Sequence, residues 1–190
     1  MPQQALLKRV VDGLDAAGIP YMLSGSLASS LQGEPRATHD IDLVIDVASG
    51  SGARLTAALA APGVYLDEGA VDEATRGRTM FNLIDSSSGD KVDFWLLTDE
   101  PYDAARFARR RNVEVLGLRL CVSAPEDTIL MKLHWARVSG GSENQRLDAL
   151  RVYEVQAGVL DEEYLDEWAD RLGIADLLAE LRVEAEPLQS

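Results

Sequence analysis

The stretch that decides the fold is MLSGSLASSLQGEPRATHDIDLVID, residues 22–46. An apolar run ends there at Gly25-Ser26, and a second run of aliphatic and β-branched residues is interrupted by Asp40 and Asp42. The second run predicts a buried β-strand. Residues two apart on a strand point to the same face, so the two aspartates should project together, with Cα atoms roughly 6.5–7 Å apart. Two such carboxylates repel each other unless a cation lies between them.

The paired carboxylates predict a magnesium site. Mg²⁺ takes hard oxygen ligands and keeps coordination positions for water and substrate phosphates. A third acid, Asp93, lies in the strand-like segment KVDFWLL, residues 91–97. If that strand pairs beside the strand of Asp40 and Asp42, three carboxylates can reach two metal ions. Two metals can stabilise both the attacking and the leaving oxygen of a phosphoryl transfer.

The Gly25-Ser26 pair predicts a phosphate-binding turn. It closes one strand and opens a short helix, so backbone N–H groups and the serine hydroxyl lie at the positive end of the helix dipole. Arg36, in the following loop, suits a bidentate contact with a phosphate. It could equally neutralise the two aspartates when no metal is bound. Together these features outline a site for a nucleoside triphosphate.

Composition narrows the class of protein. The chain has 190 residues, 46% of them hydrophobic, and a formal net charge of −14. That charge argues against binding to long nucleic acids and suits a metal or a small metal-screened substrate. The single Cys121 excludes an internal disulfide and predicts a reducing compartment. The amphipathic N-terminus and the lack of a long apolar run predict a cytoplasmic protein without a membrane segment.

Hydrophobic patterning predicts an α+β fold, with a mixed sheet flanked by helices and a helical C-terminal part. Two β-hairpins are expected at residues 79–97 and 112–124, and helical segments follow Gly140-Gly141. We expect an α/β core over residues 1–122 and a helical region over residues 123–190 packed on it.

The order of Gly-Ser, Asp-x-Asp and a later strand Asp resembles the nucleotidyltransferase superfamily, which has the polymerase-β-like fold. GEPRATHDIDLVID, residues 33–46, is especially similar to the bacterial minimal nucleotidyltransferases of the AbiEii-type toxin group. An Arg-x-Thr-x-Asp-hydrophobic-Asp stretch recurs in that group. The resemblance extends over about residues 18–150.

The resemblance implies a role for each motif residue. It implies that Gly25 and Ser26 bind phosphate and that the three strand acids bind metal ions. Asp93 is also a candidate general base. Lys132 matches a helix lysine that faces the active site in the toxin group, so it is counted as both catalytic and nucleotide-binding. Asp148 matches a helix acid of the same group, although relatives often carry a basic-acidic pair just before it and this chain has QRL at residues 145–147.

The activity implied is Mg²⁺-dependent transfer of a nucleoside monophosphate from an NTP to an acceptor hydroxyl, with release of pyrophosphate. The acceptor in such families is tRNA, a protein side chain or a small molecule such as an aminoglycoside. A toxin of a type IV toxin–antitoxin system would imply a cognate antitoxin. The alternative is a catalytically silent nucleotide-binding or regulatory module with the same fold, and a purely structural acidic partner protein is a third hypothesis.

Several other residues can be explained by structural roles alone. Lys132 by itself is compatible with a helix-surface lysine, but its neighbours Met131 and Leu133 predict a largely buried helix and favour a purposeful charge. His39 fits a structural role. The basic run Arg106–Arg111 fits either a solvated face or an acceptor contact, and we favour solvation. The acidic helix faces after residue 142 are also expected to be solvated. The three tryptophans are expected in the core: Trp95, Trp135 and Trp168.

Overall fold

A computed structural model describes residues 2–38, 40–115 and 117–186 of the chain. Within them lie seven strands: β1 (Tyr21–Ser24), β2 (Asp40–Ile45), β3 (Val64–Leu66), β4 (Met80–Asp85), β5 (Lys91–Leu96), β6 (Arg111–Val115) and β7 (Leu118–Val122). The described helices are α1 (Pro2–Ala16), α2 (Gly25–Gln32), α3 (Gly52–Leu59), α4 (Glu68–Gly77), α5 (Pro101–Ala108), α6 (Pro125–Val138), α7 (Glu143–Val155), α8 (Glu162–Leu172) and α9 (Ala175–Glu184).

The strands form one mixed sheet in the order β3-β4-β5-β2-β1-β7-β6. The β1–β7 and β2–β5 pairs are parallel, and the other neighbouring pairs are antiparallel. Both predicted hairpins are present, as β4–β5 and β6–β7. The predicted α+β fold with a mixed sheet and a helical C-terminal part is confirmed.

Packing separates the chain into two compact units. The first consists of Met1–Ser24 and Thr38–Val122 and contains the whole sheet with α1, α3, α4 and α5. The second consists of Gly25–Ala37 and Ser123–Ser190 and contains α2 and α6 to α9. Residues 25–37 therefore group with the C-terminal helices, whereas the prediction from sequence grouped them with the sheet.

One face of the sheet in the first unit is apolar across the central strands. Ile41, Leu43 and Ile45 of β2 are fully buried, and the same alternation continues into the neighbouring strands. Phe81 of β4 and Phe94 of β5 stack with ring centroids 4.8 Å apart. Burial of this face is the main contribution of the central strands to stability.

The opposite face of the sheet changes from apolar to polar along the strands. At one end, Met22, Val44 and Trp95 pack with Phe107 of α5. At the other end, a row of polar residues crosses four adjacent strands at the same level: Ser24, Asp42, Asp93 and Asn82. The aspartates thus interrupt a hydrophobic strand because this end of the face is not part of the core.

In the second unit, α2 lies in close contact with α7. A Cβ at Gly33, just after α2, would lie 2.8 Å from the backbone nitrogen of Val152 and 2.9 Å from the carbonyl carbon of Arg151. Gln32 donates through Nε2 to the carbonyl oxygen of Ser123, and Gln156 donates through Nε2 to the carbonyl oxygen of Gln32. These contacts fix the segment that carries Ser26 and Arg36 against α7.

Several expectations about burial are wrong. Trp135 is 41% exposed, whereas Trp168 lies in the core as expected. Arg106 of the basic run is buried and donates through Nε to Asp103, 2.7 Å away, so a solvated role is excluded for it. Glu154 on α7 is buried and paired with Arg151. None of the helices in the described residues is both long and apolar enough to cross a membrane.

Gly33→Ala should destabilise the protein, because its methyl group would collide with the backbone of α7. Overpacking of this kind costs about 1–3 kcal/mol. Urea unfolding of the variant and the wild type measures the difference. Gly77→Ala is the matched control, because a Cβ at this position would lie 3.5 Å from its nearest neighbour, Cγ2 of Thr79, which is an ordinary van der Waals contact. We expect Gly77→Ala to change the free energy of unfolding by less than about 1 kcal/mol. Equal effects of the two substitutions would contradict the tight α2–α7 contact.

Candidate active site

The three predicted metal-binding acids lie on one end of one sheet face in the first unit. The strands β2 and β5 pair in parallel, with Asp40 opposite Lys91 and Asp42 opposite Asp93. Residues directly opposite each other share a face, so the three carboxylates project from the same side. The predicted pairing of the Asp93 strand beside the Asp40–Asp42 strand is confirmed.

A lysine lies among these acids. The Nζ of Lys91 is 2.8 Å from Oδ2 of Asp93 and 3.9 Å from Oδ1 of Asp40. The hydrogen bond to Asp93 and the charges of all three acids raise the pKa of Lys91, against the opposing effect of burial. Sequence reasoning missed Lys91, although its position two residues before Asp93 places both on the same face of the strand.

Asp93 has the strongest features of a metal ligand. Its side chain is buried, and its Oδ1 accepts no hydrogen bond from any residue that the structure describes. Asp42 is half-buried, and the indole nitrogen of Trp95 lies 3.4 Å from its Oδ1. A buried carboxylate oxygen without a donor beside a second carboxylate fits a hard divalent cation. As the side chains stand, however, no group of three or more His, Cys, Asp or Glu within residues 2–38, 40–115 and 117–186 is arranged to hold a metal ion.

The second unit contains a separate ionic cluster, formed by Ser26, Arg36, Lys132 and Asp148. Arg36 pairs bidentately with Asp148, through Nε to Oδ1 at 2.7 Å and Nη2 to Oδ2 at 2.8 Å. Lys132 donates through Nζ to Oδ2 of Asp148 at 2.7 Å. The Oγ of Ser26 accepts from Arg36 at 2.9 Å and from Lys132 at 3.2 Å.

This cluster is suited to an anion. One carboxylate is set against two cations, so the cluster is positive by one charge in a chain of net charge −14. Ser26 accepts from both cations, which leaves its own O–H to donate elsewhere. It also lies in the first turn of α2, where the helix dipole attracts negative charge. A phosphate group can bind to this combination of donors.

The electrostatics of Asp148 depend on its two partners. Burial would raise the pKa of this carboxyl group, but the hydrogen bonds from Arg36 and Lys132 outweigh burial and lower it. The pKa of Arg36 is raised chiefly by the hydrogen bond to Asp148. The cluster therefore stays ionised at neutral pH.

The structure decides between some of the alternative residue roles that the sequence left open. Lys132 is only 4% exposed, so the interpretation as a helix-surface lysine is wrong. Arg36 pairs with Asp148, a partner that the sequence did not suggest. Gly25 has a φ of 63°, a left-handed conformation that favours glycine. His39 lies outside the described residues.

The chain is similar to one family model and to solved structures of an adenylyltransferase. Residues 6–94, just under half of the chain, match the family model of aminoglycoside-2''-adenylyltransferase, and this span includes all three strand acids. The solution structure of the antibiotic-resistance factor ANT(2'')-Ia is similar over 96% of this chain and 98% of that chain, with 16% identity and a TM-score of 0.55. The crystal structure of ANT(2'')-Ia in complex with adenylyl-2''-tobramycin matches with the same values. The chain has a nucleotidyltransferase-like fold. No curated protein matches it by sequence.

The family model and the shared fold both support the superfamily that the motifs predict. The matched span contains the Gly-Ser turn, the Asp-x-Asp strand and the later acid, which are the residues on which that prediction depends. The closer kinship to the AbiEii-type toxin group stays a prediction, since the matches concern an aminoglycoside-modifying family.

Asp148→Asn should destabilise the protein at neutral pH by about 3 kcal/mol, because it leaves Lys132 buried beside a neutral group. The wild-type carboxyl has a lowered pKa, so its contribution is present above the unfolded-state value of about 3.9 and is lost as pH falls through the folded-state pKa. The variant should therefore lose less stability than the wild type below about pH 4. Urea unfolding across a series of pH values measures both effects.

The matched control for Asp148→Asn is Asp12→Asn. Asp12 pairs with Lys8 on the exposed side of α1, where both side chains are more than half exposed. Exposed pairs contribute less than about 1 kcal/mol. If Asp148→Asn were as mild as this control at neutral pH, the buried Lys132 would not depend on the charge of Asp148.

Proposed function

We propose that the protein is an Mg²⁺-dependent nucleotidyltransferase that moves a nucleoside monophosphate from an NTP to an acceptor hydroxyl and releases pyrophosphate. The observation that carries the proposal is the register of β2 and β5, which sets Asp42 beside Asp93 on the face that also bears Asp40. Such a row of acids in adjacent strands is costly unless cations bind it. The family model that matches residues 6–94 supports the same chemistry.

Asp40, Asp42 and Asp93 are the proposed metal ligands. Divalent cations bound there would neutralise the triphosphate and stabilise the charge that develops on the attacking and leaving oxygens. Asp93 has a buried oxygen without a hydrogen-bond donor among the described residues. That oxygen is the proposed acceptor for the proton of the attacking hydroxyl, either directly or through water.

The proposed phosphate-binding residues are Gly25, Ser26, Arg36 and Lys132. Ser26 would donate its O–H to a phosphate oxygen, while Arg36 and Lys132 would balance phosphate charge. Asp148 would act as a positioning residue, since it holds both cations through hydrogen bonds of 2.7–2.8 Å. Without it, both side chains would have more rotamers to lose when the nucleotide binds.

ATP and a small cationic molecule of the aminoglycoside class are the proposed substrates. The matching family model and the similar structure both concern aminoglycoside adenylylation. The net charge of −14 attracts a polycationic acceptor and repels a polyanionic one such as tRNA. This makes a small molecule a better acceptor than RNA.

The acids are tested by Asp42→Asn and Asp93→Asn, with Asp46→Asn as the control that removes the same charge just beyond the end of β2. We expect the first two to lower pyrophosphate release by at least about a hundredfold, because weaker metal binding removes a large electrostatic stabilisation. Asp46→Asn should stay close to wild type. Circular dichroism checks that the variants fold. Full turnover by Asp42→Asn would overturn the proposal.

The acceptor is tested with each labelled NTP, Mg²⁺ and a panel of acceptors: an aminoglycoside, tRNA and a protein fraction. Label from ATP should appear on the aminoglycoside. Label on tRNA or protein would replace the proposed acceptor and would support a toxin with a cognate antitoxin. Mg²⁺-dependent NTP binding without pyrophosphate release from any acceptor would identify a silent nucleotide-binding module instead.

A further inference from the structure

Lys91 lies where a metal would have to compete with it. Its ammonium group is 2.8 Å from Oδ2 of Asp93 and 3.9 Å from Oδ1 of Asp40. It thus contacts two of the three carboxylates proposed as metal ligands and supplies a positive charge from within the chain. This arrangement is consistent with the lack of a formed three-acid metal group among the described residues.

The two carboxylate oxygens of Asp93 differ in their hydrogen-bond partners. Oδ2 is bound by Lys91, whereas Oδ1 is buried and accepts no hydrogen bond from the described residues. A cation that approaches this carboxylate from solvent therefore meets the like charge of Lys91 at Oδ2, while Oδ1 is buried. At separations of a few ångströms, such repulsion is appreciable even when solvent screens it.

The side chain of Lys91 can leave this position. It is 37% exposed, whereas Asp93 is 11% exposed, so the lysine reaches the acids from the solvent side. Lysine is a compact, strongly hydrated charge on a flexible stem, and it regains hydration when it turns outward. Displacement by a divalent cation would require only a rotamer change, with no movement of β2 or β5.

We propose that Lys91 is a built-in counter-ion of the acidic cluster, which a divalent cation must displace from Asp93, so that Lys91 sets the metal affinity of the site. This inference rests on the proposed function, because it assumes that the strand acids bind a metal. In the metal-free protein, Lys91 relieves the repulsion among Asp40, Asp42 and Asp93. Displacing Lys91 from Asp93 costs free energy, so the cation binds more weakly than it would to the same acids without this ammonium group.

The test uses Lys91→Met, which keeps most of the apolar stem and removes the charge. Titration of the full chain with Mg²⁺ alone, followed by calorimetry without nucleotide, measures the affinity. We expect Lys91→Met to bind Mg²⁺ at least about tenfold more tightly than the wild type. Lys91→Arg keeps the charge and should bind no more tightly than the wild type. Lys8→Met is the matched control, because it removes one charge from an exposed pair on α1.

Thermal unfolding gives a second measurement. With a chelator present, Lys91→Met should have a lower unfolding midpoint than the wild type, because three acids then lack their counter-ion. Excess Mg²⁺ should raise the midpoint of Lys91→Met more than that of the wild type, since ligand binding to the folded state stabilises it according to affinity. Lys8→Met should respond to Mg²⁺ as the wild type does.

Mg²⁺ affinity that is unchanged or weaker in Lys91→Met would overturn the inference, and so would a failure of both proteins to bind Mg²⁺. Wild-type turnover of NTP with Mg²⁺ then separates the two ideas. If turnover persists, only the role of Lys91 has failed. If there is neither turnover nor metal binding, the proposed function fails as well.

Discussion

The parallel pairing of β2 with β5 is the constraint on which the proposed chemistry depends. Its register sets Asp42 beside Asp93 and Asp40 beside Lys91. A shift of one residue would turn the acids into the apolar core. The fully buried residues on the other face of both strands, Ile41 and Phe94 among them, make that shift prohibitive. Burial of the apolar face therefore fixes the position of the acids on the opposite face.

The ionic cluster of the second unit follows a different physical rule. Lys132 and Asp148 are buried, and charges of this kind are stable only when they are paired and hydrogen-bonded. Each oxygen of Asp148 has at least one charged donor. The pairing adds little to net stability compared with an apolar core, so a role in fixing the side chains of Arg36 and Lys132 is the better reason for it.

The sequence predicts most of the sheet but less of the side-chain pairing. Alternation and turn residues predict the hairpins, and the motif Asp40-x-Asp42 predicts a face with paired acids. The roles of Arg36 and Asp148 depend on a contact across 112 positions of chain, which no local pattern encodes. The burial of Arg106 was missed for a related reason, because Asp103 neutralises it within one helix turn and the composition suggested only a basic run.

The chain's lysines show how charge is distributed in the two clusters. There are three in the chain, and two of them, Lys91 and Lys132, contact the acids of the clusters described here. Lys132 is held by Asp148 in a buried position, so its charge is fixed in place. Lys91 is partly exposed and can exchange its carboxylate for water. The same side chain thus provides a fixed charge in one environment and a displaceable one in the other, and burial accounts for the difference.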